Sequence, residues 1–170
     1  MSSSPLRAAV IVASNRAADG LYADETGPLI VEALRAWGFD VGEPVVVHDG
    51  EPVGVALGDA LAAGVAAVLT TGGTGINPTD RTPEATRPHL DRELPGVAEA
   101  LRAEGVAKGV PTAVLSRGLA GVAGTTVVVN LPVARRGQGR PRGPRARPAA
   151  RRRPAARRRP RGRRVMRGAT

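Results

Sequence analysis

The chain has 170 residues, no cysteine, and 25 Lys and Arg against 15 Asp and Glu. Disulfides and thiolate metal sites are excluded, and the opening Met1-Ser2-Ser3-Ser4-Pro5 lacks the basic start and apolar run of a signal peptide. The net charge of +10 is local: residues 133–170 hold sixteen Arg and no acid, which leaves residues 1–132 with nine Lys and Arg, fifteen acids and a net charge of −6.

No apolar run reaches the length needed to span a bilayer, so a cytoplasmic location with no membrane partner is expected. Residues 1–132 suffice for one ordinary core. Tyr22, Trp37 and Phe39 are the only aromatics, so that core must be built from Val, Leu, Ile and Ala.

In chain order, Arg7 to Ala13 is a short β-branched apolar run, the pattern of a strand buried on both faces. Ser14 to Gly27 is polar and rich in turn residues, so a loop is predicted. Thr26 opens a helix with Pro28 in its first turn and Leu29, Ile30, Ala33, Leu34 and Trp37 at helical spacing, stopped by Gly38. Val45 to Val47 is a second strand, running into His48-Asp49-Gly50. A helix over Val53 to Ala63 follows, closed by Gly64. Ala66 to Thr71 is a third strand, and Gly72-Gly73-Thr74-Gly75 comes straight after it. Thr82-Pro83-Glu84 reads as an N-cap, a Pro at the first helical position and an acid in the first turn, opening a helix to about Leu90. A further helix runs from near Pro95 to about Ala107. Thr112 to Leu115 and Thr125 to Asn130 are predicted strands. Strands alternate with helices throughout, which indicates an α/β domain with a mainly parallel sheet flanked by helices.

Open parallel sheets bind ligands beyond the carboxyl ends of their strands. The unusual polar residues all fall at such ends: Ser14-Asn15-Arg16, Asp49, the glycine-rich loop with Asp80, Ser116 and Asn130. Glycines let an anion approach the backbone, and successive N–H groups in such a turn form an anion nest. The same four residues also suit a plain tight turn, and the loop is neither a Walker A sequence nor a dinucleotide fingerprint. Two carboxylates near a phosphate loop, Asp49 and Asp80, are able to hold Mg²⁺, which takes one or two carboxylates plus phosphate oxygens. Each also suits a turn or a pre-helix loop. Arg16, Arg81 and Arg117 are candidates for phosphate contact or for plain solvation. His48 and His89 read as surface residues, since no ligand spacing supports zinc.

Taken together, Leu69-Thr70-Thr71-Gly72-Gly73-Thr74-Gly75 and Asp80-Arg81-Thr82-Pro83-Glu84-Ala85-Thr86 resemble the signature of the MogA/MoaB family. Arg92-Glu93-Leu94-Pro95-Gly96, Leu115-Ser116-Arg117 and Asn130-Leu131-Pro132 follow in the family's order. The resemblance covers residues 6 to 132. It implies a three-layer α/β molybdopterin-binding fold, commonly a homotrimer, and molybdopterin adenylyltransferase activity with Mg²⁺, ATP and molybdopterin. It maps the family's essential aspartates, as catalytic and metal-holding groups, onto Asp49 and Asp80. Gly72, Gly73, Thr74, Gly75, Thr82, Pro83 and Glu84 map onto the nucleotide and pterin-phosphate region. Ser14, Arg16 and Ser116 fall at ligand-contact positions, and Asn15 stands where Asp is common. Some MoaB members share these motifs without the activity, which makes a non-catalytic molybdopterin-binding protein the alternative.

The resemblance stops at Pro132, where the family continues with Gly-Ser-Pro and a helix. Residues 133–170 are instead mostly Arg, Pro, Ala and Gly with no periodicity. Such a segment buries too little apolar area to offset its ordering entropy, so a disordered tail is expected. Its composition is that of GC-rich codons read out of frame. Regrouping back-translated codons from Val133 to Arg151, with one Gly restored after Pro132, can yield Pro-Gly-Ser-Arg-Gly-Gly-Val-Arg-Asp-Gly-Leu-Ala-Val-Leu-Ala-Pro-Val-Leu-Pro-His-Ala, a loop and helix of the family type. A frameshift is the reading adopted. Sixteen Arg would also hold nucleic-acid phosphates non-specifically, but no aromatic is present for base stacking.

Overall fold

The computed structural model describes residues 4–133. The expected disordered tail, apart from Val133, lies outside the described residues. The strands are β1 (Arg7–Ala13), β2 (Asp40–Val41), β3 (Val45–Val47), β4 (Ala67–Thr71), β5 (Arg92–Glu93), β6 (Ala120–Ala123) and β7 (Thr126–Leu131). The helices are α1 (Asn15–Ala18), α2 (Thr26–Ala36), α3 (Glu51–Ala62), α4 (Thr82–Thr86) and α5 (Pro95–Ala107), with 3-10 turns at Arg87–His89 and Pro111–Leu115.

One seven-stranded sheet runs in the order β2-β1-β4-β7-β6-β5, with β3 also paired to β1. The pairs β1–β2, β1–β3, β1–β4 and β4–β7 are parallel, while β5–β6 and β6–β7 are antiparallel. The sheet is therefore mixed, five parallel strands carrying an antiparallel margin. That margin departs from the sequence reading. The expected strand at Thr112 to Leu115 is a 3-10 turn entered through Pro111. The strand instead forms at Ala120–Ala123. This Ala/Gly run has little intrinsic strand preference, but Gly124 at φ 57 turns it back onto β7, with Ala123 opposite Thr126. Since among the described residues none but glycine has positive φ, the two-residue turn has its left-handed residue first, the II′ arrangement.

Alternation along the strands sends neighbouring side chains to opposite faces. One face is aliphatic: Ala8, Val10, Val31, Leu34 and Val41 are buried together, with Ala67 and Leu69 packed against them. On the other face Ile11, Ala13, Val53, Leu57, Val65, Val68 and Val128 form the second cluster beneath α3. The fully buried core residues are aliphatic, Phe39 packs half-buried against the α2-side cluster, and Trp37 is 74% exposed at the end of α2. Towards the carboxyl ends of the strands this second face changes chemistry: Thr70, Thr82, Thr86 and Asn130 are buried polar residues. Among the described residues no helix is long and apolar enough to cross a membrane.

Candidate active site

The parallel strands β1, β3, β4 and β7 all end at one edge, and Gly72 sits at their meeting point. Its N–H donates to Leu131 O of β7. A side chain there would collide with the Ala13 carbonyl of β1, and φ is 93, so only glycine fits.

Both aspartates approach this loop. A methyl on Gly73 would strike the Asp49 carboxylate and Thr82 Oγ1, and one on Gly75 would meet Asp80 Oδ2 at 2.6 Å. Asp49 is held from several sides. Its Oδ1 accepts from Gly50 N at 2.7 Å, Arg81 N at 3.0 Å and Thr82 Oγ1 at 3.3 Å. Its own N–H donates to Asn15 Oδ1 at 3.0 Å, which gives Asn15 a positioning role in the wall. Asp80 Oδ2 accepts from Asn77 N at 2.9 Å and closes the turn that precedes α4. Half-buried and tethered through single oxygens, the two carboxylates flank one glycine loop.

Thr82 departs from the expected role. Arg81 is the cap residue of α4, with no side-chain cap bond. Thr82 is fully buried, its N–H donates to Gly73 O at 3.1 Å, and its hydroxyl is spent on Asp49. Pro83 is buried beside it. Glu84 pairs with Arg117, and the donated hydrogen bond from that guanidinium holds the Glu84 carboxyl below its ordinary range. Arg117 was a candidate for phosphate. Three of its five guanidinium N–H groups go to Gly75 O at 2.8 Å, Glu84 Oε1 and Asp80 O, and its backbone N–H to Thr74 O at 2.8 Å. A planar fork fixed on three partners is a brace for the loop. Ser116 Oγ donates to Thr74 Oγ1 at 3.4 Å, so it too stands at the loop, although it follows a 3-10 turn and not a strand.

Ser14 and Arg16 lie to the other side. Ser14 caps α1, accepting from Ala17 N at 3.2 Å, and shares a hydrogen bond with Tyr22 OH. The Arg16 guanidinium lies over the Tyr22 ring, 5.2 Å from its centre. His48 is exposed and faces Asp19 at 3.6 Å. Two hollows thus flank the loop. One, of about 380 Å³, opens among Ile76, Asp80, Arg81, Glu84 and Arg117. The other, of about 840 Å³, opens among Arg16, Tyr22, Asp24, Leu29 and Thr71 on the α2 side. The buried Thr71 Oγ1 in its wall has no hydrogen-bond partner among the described residues. Sequence reasoning missed Thr70, Thr86 and Asn130 as a buried polar group. For Thr70 and Asn130 the available signal was position, a polar residue at an inward-facing place of an otherwise apolar strand, whereas Thr86, on α4, carried no such signal.

Comparison with known proteins places this geometry in a family. A family model described as "Probable molybdopterin binding domain" matches residues 9–135. The chain is 39% identical over 113 residues to a molybdopterin adenylyltransferase of Pyrococcus furiosus, covering 66% of each chain. It is 38% identical over 128 residues to a molybdenum cofactor biosynthesis bifunctional protein of Chlorobaculum tepidum, covering 74% of this chain but 40% of that one. The chain therefore spans less than two thirds of the length of these relatives. A solved structure of the molybdopterin biosynthesis Mog protein from Mycobacterium ulcerans superposes with a TM-score of 0.72 at 55% identity, covering 76% of this chain and 84% of that one. Fold and sequence agree, and the chain belongs to the molybdopterin-binding domain family of MogA and MoaB proteins.

Proposed function

We propose that this chain is a molybdopterin adenylyltransferase of molybdenum cofactor biosynthesis. The observation that carries the reading is the approach of Asp49 and Asp80 to the same glycine loop, between two hollows able to take two substrates. In the reaction a terminal phosphate oxygen of molybdopterin attacks the α-phosphorus of ATP. The bond from that phosphorus to the α–β bridging oxygen breaks, and pyrophosphate leaves with the electron pair.

The residues present fit a magnesium ion. Among the described residues no three His, Cys, Asp or Glu side chains gather as a cage, and Mg²⁺ does not need one where phosphate oxygens complete its shell. Asp49 and Asp80 would hold it, and it would shield charge on the triphosphate. The chain's own part is positioning. The glycines of the Gly72–Gly75 loop let the Ala13 carbonyl, Asp49 and Asp80 close in on it, and the loop's successive N–H groups would meet phosphate oxygens. Arg117 keeps the loop, Asp80 and Glu84 in one arrangement. Arg16 and Tyr22 supply charge and an aromatic face in the larger hollow. A homotrimeric assembly and a cytoplasmic location go with this reading.

Purified full-length chain with molybdopterin, Mg²⁺ and ATP labelled at the α-phosphate should yield labelled molybdopterin–AMP and unlabelled pyrophosphate in equal amounts. Asp80→Asn should remove the product. Undiminished label transfer by Asp80→Asn would overturn the assignment.

We also infer that residues 133–170 arise from a displaced reading frame. On β7 the residues Thr126, Val128 and Asn130 are buried, whereas Val127 on the opposite face is 41% exposed, as is Val133 just beyond the strand at 51%. An amphipathic helix of the kind encoded in the other frame would cover such an apolar strip. The nucleotide sequence around the Pro132 codon tests this directly. A chain restored to that frame should melt higher and bind molybdopterin more tightly; equal behaviour of the two chains would refute it.

A further inference from the structure

We propose that Asn130 is a positioning residue of the candidate active site, coupling the Asp49 wall to the Ser116–Leu119 segment through the hydroxyls of Thr86 and Thr82. The proposal rests on the site assigned above, and the residues concerned lie beneath that site.

Asn130 is 2% exposed and stands opposite Thr70 in the β4–β7 register. Its Nδ2 donates to Thr70 Oγ1 at 2.9 Å and to Thr86 Oγ1 at 3.0 Å. Its Oδ1 accepts from Leu119 N at 3.1 Å. The orientation of the amide follows from its neighbours. A backbone N–H only donates, so it must face Oδ1. The Thr86 hydroxyl gives its proton to Thr82 O at 2.8 Å, so it must accept from Nδ2. Both amide hydrogens and the oxygen are used, and no other residue type offers that set in that volume.

The chain continues in both directions. Thr82, one turn before Thr86, bonds Asp49 Oδ1 through its hydroxyl and Gly73 O through its N–H. Leu119 follows Ser116, Arg117 and Gly118, the segment that contacts Thr74 and Gly75. From the far side, Arg102 Nη1 donates to Ser116 O at 3.3 Å and Gly118 O at 3.4 Å. A methyl on Gly118 would meet Asn130 O at 2.9 Å. The segment is thus clamped between Arg102 and Asn130, and Asn130 is the side that also reaches the aspartate. A fully satisfied buried polar network specifies one geometry, because each broken link leaves another group unpaired in a low-dielectric interior. The separation of the two walls is what such a chain sets.

Asn130→Ala opens a hole and is the variant most at risk of not folding. Thr86→Val keeps the shape and removes the hydroxyl, and Thr86→Ser restores the hydroxyl. In the full-length chain, Thr86→Val should speed amide exchange at Leu119 and at Arg81 by about tenfold or more. Exchange in β1 and α2 should stay unchanged. Mg-ATP, used as the probe, should bind several-fold more weakly, and kcat for AMP transfer should fall more than KM rises. Thr86→Ser should recover all of these. The proposal is overturned if Thr86→Val lowers the melting temperature with a uniform rise in exchange, or if Leu119 and Arg81 keep wild-type protection. Failure of the unaltered chain to transfer AMP would count against the activity alone, since the exchange measurement decides the coupling by itself.

Discussion

The two faces of the sheet carry different kinds of order. Against α2 the packing is aliphatic, Ala8, Val10, Leu34 and Val41 touching without a polar atom among their side chains, and its one buried polar residue at the strand ends, Thr71, has a hydroxyl with no partner among the described residues. Against α3 and α4 the base is aliphatic, with Val68 and Val128. The rim is polar, with Thr70 and Asn130 two residues further along the same strands. Aliphatic packing is non-directional and tolerates exchange of similar volumes. Hydrogen-bonded packing fixes directions as well as distances. The polar rim lies under the glycine loop, so directional order is placed where two carboxylates must be held, and cheaper order is used elsewhere.

That contrast can be broken at its strongest point first. Asp80→Asn keeps a hydrogen-bond acceptor for Asn77 N and removes the charge. It should leave melting unchanged and reduce AMP transfer by about a thousandfold, read by label transfer. Leu34→Ala on the aliphatic face should do the opposite. It should cost about 2–5 kcal/mol of stability in denaturant unfolding, with turnover per folded molecule unchanged. If Leu34→Ala reduced turnover as well, the two faces would not be separable. Arg117→Met removes the brace on Gly75, Asp80 and Glu84. Because the ion pair is solvent-exposed, the loss of stability should stay below about 1 kcal/mol, while the KM for Mg-ATP should rise several-fold.

The smallest effect is in acid. Arg117 lowers the Glu84 pKa in the folded chain. The stabilisation is complete above the unfolded pKa and is lost as pH falls through the lower folded value. Glu84→Gln should flatten this shallow decline in stability below the ordinary glutamate range, followed by thermal melts at a series of pH values. Arg117→Met should flatten it equally, and a difference between the two variants would show that another partner of Glu84 dominates.

Much of the fold was legible because its signals are redundant. β1, β4 and β7 are short apolar runs rich in β-branched residues, closed by Ser14, Gly72 and Pro132, and α2 and α5 begin with Pro in the first turn. The antiparallel margin was not legible. Ala120–Ala123 becomes a strand through its partner β7, and a tertiary cause leaves no local trace. At the site the aspartates and glycines could be read from type and spacing. Thr82 could not, because a Thr before Pro-Glu suits a helix cap whichever way its hydroxyl turns. Arg117 was ambiguous for a related reason: a guanidinium suits phosphate and carbonyl oxygens alike, and only the fold shows which are within reach.

Trp37, the one tryptophan of the chain, sits 74% exposed where α2 ends. Its indole is already in water in the native state, so its emission starts red-shifted and has little further to move when the chain unfolds. Intrinsic fluorescence is therefore a poor thermometer for this protein. Far-ultraviolet circular dichroism, which follows the helices on both faces of the sheet, is the probe that will register loss of structure.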